Sequence, residues 1–147
     1  MSDQASLTRV SWPVAIGVAA RLSNVSAKMV RHYESLGLLA AVARTDSGYR
    51  QYSEADVRTL QFIKRGREMG FSMADIATLV SLWHDRSRAS ASVKQIAQKH
   101  LRDIEQRINA MQAMQRTLTN LLEHCHGDGR PECPILDDLA RGAAGAK

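Results

Sequence analysis

The sequence predicts a mainly α-helical protein with one small β-hairpin, and three patterns support this fold class. Apolar residues recur every three to four positions in several segments, which is typical of amphipathic helices. Ser-Glu-Ala-Asp at 53–56 and Ser-Met-Ala-Asp at 72–75 resemble helix-capping sequences. Beyond Ser90 the helical pattern continues for more than four heptads without glycine or proline. We therefore expect several short helices followed by one long helix.

Length and charge indicate a small basic domain joined to an assembly element. The chain has 147 residues, a net charge of +5 and only 5% aromatic residues. Residues 1–70 contain ten Lys/Arg and six Asp/Glu, whereas residues 71–147 contain ten and nine. This excess of positive charge in the N-terminal half suits contact with a polyanion. No stretch approaches the ~20 apolar residues of a membrane span, so we expect a cytoplasmic protein with reduced thiols.

Two helices joined by a tight turn are predicted near the N-terminus. The helical pattern begins at Val14, and Asn24 tolerates the left-handed conformation that such a turn needs. Ser26 can cap the second helix, and Gly37 suits its end. This is the layout of a helix-turn-helix, whose second helix enters the major groove of DNA. An ordinary pair of core helices explains this segment equally well. The solvent face of the second helix carries Lys28, Arg31 and His32.

A basic hairpin follows the two helices. Residues 38–52 fit two short strands joined by a turn at Asp46-Ser47-Gly48, which is the position of a wing. Arg44 and Arg50 on either side of the turn can contact phosphates. Tyr49 offers a hydroxyl to a phosphate or a ring to a sugar, or it covers the inner face of the hairpin.

The helix that begins after Ser53 carries a second basic cluster near its end. This cluster can form a second phosphate-contacting element, or it is ordinary solvated helix surface. Its members are Lys64, Arg65 and Arg67.

The long segment at 90–123 predicts a dimerisation helix. A helix of this length measures roughly 50 Å, which is too long for a small N-terminal domain to cover. It must pack on another chain, and an antiparallel coiled-coil dimer is favoured because the sequence offers few further helices for a bundle.

Both cysteines of the chain, Cys125 and Cys133, lie on one Gly/Pro-containing loop. Thiolates are soft ligands, so the loop can hold Cu(I) or its congeners or Zn(II), or the two thiols can form a disulfide. A disulfide is disfavoured in the cytoplasm. His124 and His126 can add nitrogen ligands for Zn(II), although residues next to a ligand tend to point away from the same ion.

Three segments together resemble the MerR family of metal-responsive transcription regulators. They are Val30-Arg31-His32-Tyr33-Glu34-Ser35-Leu36-Gly37-Leu38, Gly48-Tyr49-Arg50-Gln51-Tyr52 and Gly70-Phe71-Ser72. The resemblance extends from about Ile16 to Leu139. It implies a homodimer that binds double-stranded promoter DNA with an over-long spacer and affects RNA polymerase indirectly, by distorting the duplex when metal binds. Deforming such a site costs of order several kcal/mol.

The cysteine loop resembles the copper-efflux (CueR-like) branch of the family. In that branch two cysteines separated by seven residues, the second followed by Pro-Ile, hold one monovalent ion. Here these are Cys125 and Cys133. The resemblance also implies a selectivity role for Ser90, because divalent-ion sensors carry a cysteine ligand at this position of the partner's helix. Ser90 also suits a helix N-cap. Two thiolates alone satisfy Cu(I), Ag(I) or Au(I) but leave Zn(II) short of four ligands.

The resemblance thus implies a Cu(I)-responsive activator of copper-efflux genes. A divalent sensor of Zn(II) and a thiol redox sensor remain alternatives, and a copper chaperone leaves the wing unexplained. No paired carboxylates, nucleophile motif or phosphate-binding glycine loop predicts an enzyme. The predicted organisation is a disordered extension at 1–13, a winged helix-turn-helix domain at 14–83 (helix-turn-helix about 16–36, wing 38–52), a linker at 84–89, a dimerisation helix at 90–123, a metal-binding loop at 124–136 and a tail at 137–147.

Overall fold

The computed structural model describes residues 9–40, 43–129 and 131–142, and in them the fold is mainly α-helical, as predicted. The chain forms two compact units, Met1–Ile96 and Ala97–Lys147, which we describe separately. The elements in chain order are β1 Val14–Ala15, α1 Ile16–Ser23, α2 Ala27–Ser35, β2 Ala43–Arg44, β3 Arg50–Tyr52, α3 Glu54–Glu68, α4 Met73–His84, α5 Ser90–His124 and α6 Pro134–Arg141.

The turn between α1 and α2 has the geometry that the sequence predicts. Asn24 adopts the left-handed conformation with φ of 58°, and the Val25 N–H donates to the carbonyl of Ala20 at 3.1 Å. The hydroxyl of Ser26 then accepts the N–H of Met29 at 3.2 Å, which caps α2. These contacts confirm a helix-turn-helix arrangement.

The hairpin is part of a three-stranded antiparallel sheet in the order β1-β3-β2. Ala43 and Arg44 pair with Gln51 and Arg50, as expected for a wing. The prediction that the first helix begins at Val14 is wrong, because Val14 pairs with Tyr52 and extends the sheet. A two-residue strand depends on its partner, so its own sequence gives no distinct signal.

Helices α3 and α4 begin at the predicted caps and pack closely. The Ser53 hydroxyl accepts the Asp56 N–H at 3.1 Å, and the Asp56 carboxylate accepts the Ser53 N–H at 2.9 Å. At α4 the Ser72 hydroxyl accepts the Asp75 N–H at 3.1 Å. A side chain at Gly66 would meet Ile76 at 3.1 Å, so glycine permits this close approach of the two helices.

The apolar core of the described residues belongs to the first unit. Phe62 stacks on Trp83 at its edge, with ring centroids 4.7 Å apart. The buried apolar side chains are Val14, Ala19, Val25, Val30, Tyr33, Leu39, Tyr52, Val57, Leu60, Ile63, Ile76 and Val80.

Helix α5 is 35 residues long and leaves its apolar side chains largely uncovered. Ile108, Met111 and Leu118 are 49%, 63% and 51% exposed. An open cavity of about 490 Å³ lies beside Ile104, Ile108 and Met111 and is lined by residues of α5 alone. No helix in the described ranges is both long enough and apolar enough to cross a membrane.

The termini differ from the prediction. Val10 and Trp12 pack against the core, so the predicted extension at 1–13 is too long, while residues 1–8 lie outside the described residues. Helix α6 begins at Pro134, so the loop predicted at 124–136 ends at Cys133, three residues before its predicted end. The tail predicted at 137–147 is helical through Arg141. Proline is favoured in the first helical turn.

Parts of three further predicted segments fall outside the described residues. Residues 41–42 of the wing, Arg130 of the loop and residues 143–147 of the tail lie outside the described residues. Ser90 is the first residue of α5 and not the cap that precedes it.

Candidate DNA-binding surface and metal loop

The second helix of the helix-turn-helix, α2, separates basic from apolar side chains. Val30 and Tyr33 are buried in the core. Lys28, Arg31 and His32 are exposed on the remaining surface. This face can therefore enter a groove of DNA without disturbing the core.

The wing presents its basic and aromatic residues at the surface. Arg44 is exposed and donates to the carbonyl of Gly48 at 3.3 Å across the turn. The Tyr49 N–H donates to the Thr45 hydroxyl at 3.1 Å, and the Tyr49 side chain is 73% exposed. The alternative in which Tyr49 covers the inner face is therefore wrong, and Tyr52, which is fully buried, occupies that face.

A carboxylate joins this wing to α2. Glu34 lies near the end of α2 and accepts Arg50 Nε at 3.1 Å and the Tyr52 hydroxyl at 3.0 Å. Burial, together with the hydrogen bond and negative charge of Glu34, raises the pKa of Tyr52 to about 12. Sequence reasoning assigned no role to Glu34. The available signal was an acidic residue on a helix whose exposed face is basic.

A second polar contact joins α3 to the turn between α1 and α2. Lys64 Nζ donates to the carbonyl of Asn24 at 2.9 Å and lies 3.9 Å from the Glu68 carboxylate. Gln61 donates to the carbonyl of Leu22 at 3.2 Å. Lys64 therefore stabilises the turn, a contact that sequence reasoning missed, and its predicted phosphate role has to coexist with this bond. Arg67, in the last turn of α3, is exposed.

The cysteine loop is anchored by a helix at each end. Cys125 follows the last residue of α5, and its N–H donates to the carbonyl of Leu122 at 3.2 Å. Cys133 precedes α6, and its carbonyl accepts the N–H of Asp137 at 3.1 Å. Both cysteines are free thiols and half-buried. The loop thus offers two soft sulfur donors, which is a donor set that suits monovalent soft metals.

One of the two flanking histidines has a backbone partner. His124 Nδ1 lies 2.8 Å from the carbonyl of Asn120. Since a carbonyl can only accept, Nδ1 carries the proton, and the ring is held back along α5. His126 lies on the loop itself and is exposed. Within the described ranges, no three or more His, Cys, Asp or Glu side chains are grouped so that they could hold a metal ion.

Ser90 is exposed in the first turn of α5 and belongs to the first compact unit. The two cysteines belong to the second unit.

Comparison with known proteins identifies the family. The family model described as "MerR HTH family regulatory protein" matches residues 14–82, and the model described as "MerR, DNA binding" matches residues 57–121. The HTH-type transcriptional regulator HmrR of Sinorhizobium medicae is 52% identical over 132 residues, which are 90% of each chain. The HTH-type transcriptional regulator CueR of Salmonella typhimurium is 34% identical over 125 residues, covering 85% of this chain and 91% of the relative.

A solved structure supports the same assignment. The transcription regulator PbrR691 from Ralstonia metallidurans, in complex with lead(II), superimposes with a TM-score of 0.75 at 28% identity and covers 86% of this chain and 98% of its own. The chain therefore belongs to the MerR family of helix-turn-helix regulatory proteins and is a DNA-binding transcription regulator rather than an enzyme.

Proposed function

We propose that this protein is a heavy-metal-responsive activator whose effector is Cu(I), with Ag(I) and Au(I) as surrogates. The observation that carries the proposal is the pair of free, half-buried thiols, Cys125 and Cys133, on a loop held by α5 and α6. Relatives from Rhizobium meliloti named "Heavy metal-dependent transcription regulator" are 50% and 49% identical, and a relative named CueR is 34% identical.

The donor set favours a monovalent ion over Zn(II). Cys125 and Cys133 would hold the ion as thiolates, and two such donors complete the preferred coordination of Cu(I) but supply only half of the four ligands that Zn(II) usually takes. His124 donates its Nδ1–H to the Asn120 carbonyl, so Nε2 is the only nitrogen of this ring left to join the two thiolates. Bound Cu(I) would neutralise part of the thiolate charge and tie the two ends of the loop together.

The DNA-binding surface is formed by α2, the wing and the end of α3. We place Lys28 and Arg31 in the major groove, because both are exposed on the helix that follows the turn. Phosphate contacts come from basic and aromatic residues of the wing and from basic residues of α3. These residues are Arg44, Tyr49, Arg50, Lys64 and Arg67.

The regulator acts on polymerase through the shape of DNA. In this proposal the homodimer occupies an over-spaced promoter in the cytoplasm, with and without metal, and the metal-bound dimer bends and untwists the duplex. Ordering of the cysteine loop changes the preferred geometry of the winged domains only if the two states differ in affinity for the ion. The deformation costs of order several kcal/mol, which is within the range that protein–DNA contacts supply. Copper-efflux genes are the expected targets.

Cysteine substitution tests the metal site. We expect Cys125→Ser and Cys133→Ser each to abolish stoichiometric Cu(I) binding in competition with a chromophoric chelator, because a hydroxyl is a poor ligand for a soft ion. DNA affinity without metal should equal that of the unmodified protein, which a gel-shift titration measures. The matched control is Ser92→Ala on α5. Retention of full Cu(I) affinity by either cysteine variant would contradict the proposed site.

A sensor of divalent ions is the second candidate function, and the similarity to a regulator that binds lead(II) supports this candidate. We propose that Ser90 excludes divalent ions because serine replaces a third sulfur ligand. Ser90→Cys should then raise affinity for Zn(II) or Hg(II), whereas Ser92→Cys, two residues further along α5, should leave it unchanged. Equal gains in both variants, or no gain in either, count against a selectivity role for Ser90.

A redox sensor is distinguished by mass. In a redox sensor, peroxide converts Cys125 and Cys133 to a disulfide, and the chain loses two hydrogens. Intact-mass measurement after peroxide, combined with transcription in the absence of metal, separates the two mechanisms. Metal-independent activation by peroxide would favour the redox alternative over Cu(I) sensing.

A further inference from the structure

We propose that Glu34 is a positioning residue that fixes the wing to α2, so that both elements meet the duplex at a set spacing. The inference rests on the proposed DNA-binding surface and not on the identity of the metal. Glu34 itself contacts no base or phosphate in this proposal, and it acts through Arg50.

The contacts of Glu34 come from two sides. From the core, the fully buried Tyr52 donates its hydroxyl to Oε2 at 3.0 Å. From the surface, Arg50 Nε lies 3.1 Å from each carboxylate oxygen. Tyr52 therefore holds the Glu34 carboxylate from the core side, and the carboxylate in turn orients Arg50 of the same strand.

The pairing leaves Arg50 able to bind DNA. Its side chain is 37% exposed, whereas that of Glu34 is 21% exposed. The bond to Glu34 uses Nε, and a guanidinium carries five N–H donors in a fixed plane. Arg50 can therefore contact a phosphate with its remaining donors while Glu34 sets the direction of the plane.

The charge of Glu34 opposes general DNA binding, which makes its position informative. A carboxylate close to phosphates weakens the sequence-independent electrostatic attraction. A positioning role predicts that this cost is offset only on DNA of the correct shape, where α2 and the wing both find their contacts. Specific and non-specific affinity should consequently respond to Glu34 with opposite signs.

The test uses the full-length protein without metal and two DNA duplexes. One duplex is selected from a random library by the unmodified protein, and the other is a scrambled duplex of the same length and base composition. For Glu34→Gln we expect tighter binding to the scrambled duplex and weaker binding to the selected one. The ratio of the dissociation constant for the scrambled duplex to that for the selected duplex should therefore fall about tenfold. Fluorescence anisotropy at constant salt measures both constants.

Glu54→Gln is the matched control. Glu54 also pairs with an arginine, Arg58, at 3.0 Å in the same domain, but both partners of this pair belong to α3. The same loss of charge should raise both affinities together and leave the ratio unchanged. A ratio that is unchanged in Glu34→Gln as well would overturn the proposal.

A double-mutant cycle separates positioning from a purely structural role. If Glu34 acts through Arg50, Glu34→Gln should not reduce the ratio further in an Arg50→Ala background. If Glu34→Gln reduces the ratio by the same factor in the Arg50→Ala background, the proposal is overturned. It is also overturned if Glu34→Gln loses the same fraction of binding to both duplexes and this loss follows the unfolded fraction in circular dichroism. Glu34→Asp keeps the charge but shortens the reach, and it should give an intermediate ratio and serves if Glu34→Gln does not fold.

Discussion

The winged domain of this chain buries its apolar side chains within the chain, whereas the long helix leaves many of its apolar side chains exposed. Buried apolar side chains in the described residues all lie between Val14 and Val80, and Leu60, Ile63 and Ile76 are fully inaccessible. Along α5, in contrast, Ile108 and Met111 remain 49% and 63% exposed. The core of the DNA-binding half therefore closes within one chain, whereas α5 leaves an apolar face that a second chain covers in the proposed homodimer.

This difference divides the functions of the molecule. Glu34 and Lys64 add polar links between elements of the winged domain, at 3.1 Å to Arg50 and 2.9 Å to the Asn24 carbonyl. The cysteine loop instead follows the end of α5, and none of the buried apolar side chains among the described residues belongs to it. In the proposed function, a DNA-reading unit held by its own polar links belongs to the same chain as a metal loop that the partner chain completes.

Disrupting the dimer should give the largest effect. In Ile108→Asp/Met111→Asp, pairing buries uncompensated carboxylates, and burying one unpaired charge costs about 3–5 kcal/mol. The dimer dissociation constant should rise at least about a thousandfold, since ~4 kcal/mol corresponds to this factor. Sedimentation equilibrium measures it. Gln106→Asp, at an exposed polar position on the opposite side of the same helix, is the control, and a dimeric double variant would contradict the assignment of this face.

Two matched leucine truncations should separate the two regions. Leu60→Ala should lower the unfolding free energy of the winged domain by about 2–5 kcal/mol, because it opens a cavity in a closed core. Leu118→Ala removes a side chain that is 51% exposed in the single chain and should instead weaken the dimer. Urea unfolding followed by tryptophan fluorescence at several protein concentrations distinguishes these results. Concentration-independent loss of stability in both variants would remove the contrast.

Tyr52 should give a smaller effect that depends on pH. Its pKa is raised from 10.0 to about 12 in the folded chain. The stabilisation is therefore complete below pH 10 and is lost as the pH rises towards 12, by about 2–3 kcal/mol in total. Tyr52→Phe has no phenol to ionise, so its stability should fall less steeply than that of the unmodified protein. Urea unfolding at intervals above pH 9 measures the slopes, and parallel slopes would show that the phenol is not perturbed.

Local signals explain why much of the fold was predictable. Asn24 in a left-handed turn, Ser26 as a cap and the reciprocal bonds of Ser53 and Asp56 each depend on residues a few positions apart. The long apolar repeat predicted α5 for the same reason. Helix α6 was missed although Pro134, in the first helical turn, is itself a start signal.

Non-local contacts explain what was missed. Strand β1 exists because Val14 pairs with Tyr52, and Lys64 reaches Asn24 across 40 positions in sequence. Neither contact has a local signature. Glu34 lay within the segment that resembles the family, but its partners Arg50 and Tyr52 lie 16 and 18 positions away. The basic surface was predictable from composition, whereas the carboxylate that organises it required the fold.

The most direct test of the account is transcription in vitro from the promoter that the purified dimer binds, measured against buffered Cu(I) and buffered Zn(II) under reducing, oxygen-free conditions. We expect the DNA-bound protein to activate at a far lower free concentration of Cu(I) than of Zn(II), and we expect occupancy of the promoter to stay constant throughout. Activation by Zn(II) at an equal or lower free concentration would contradict a two-thiolate, monovalent-ion switch at Cys125 and Cys133.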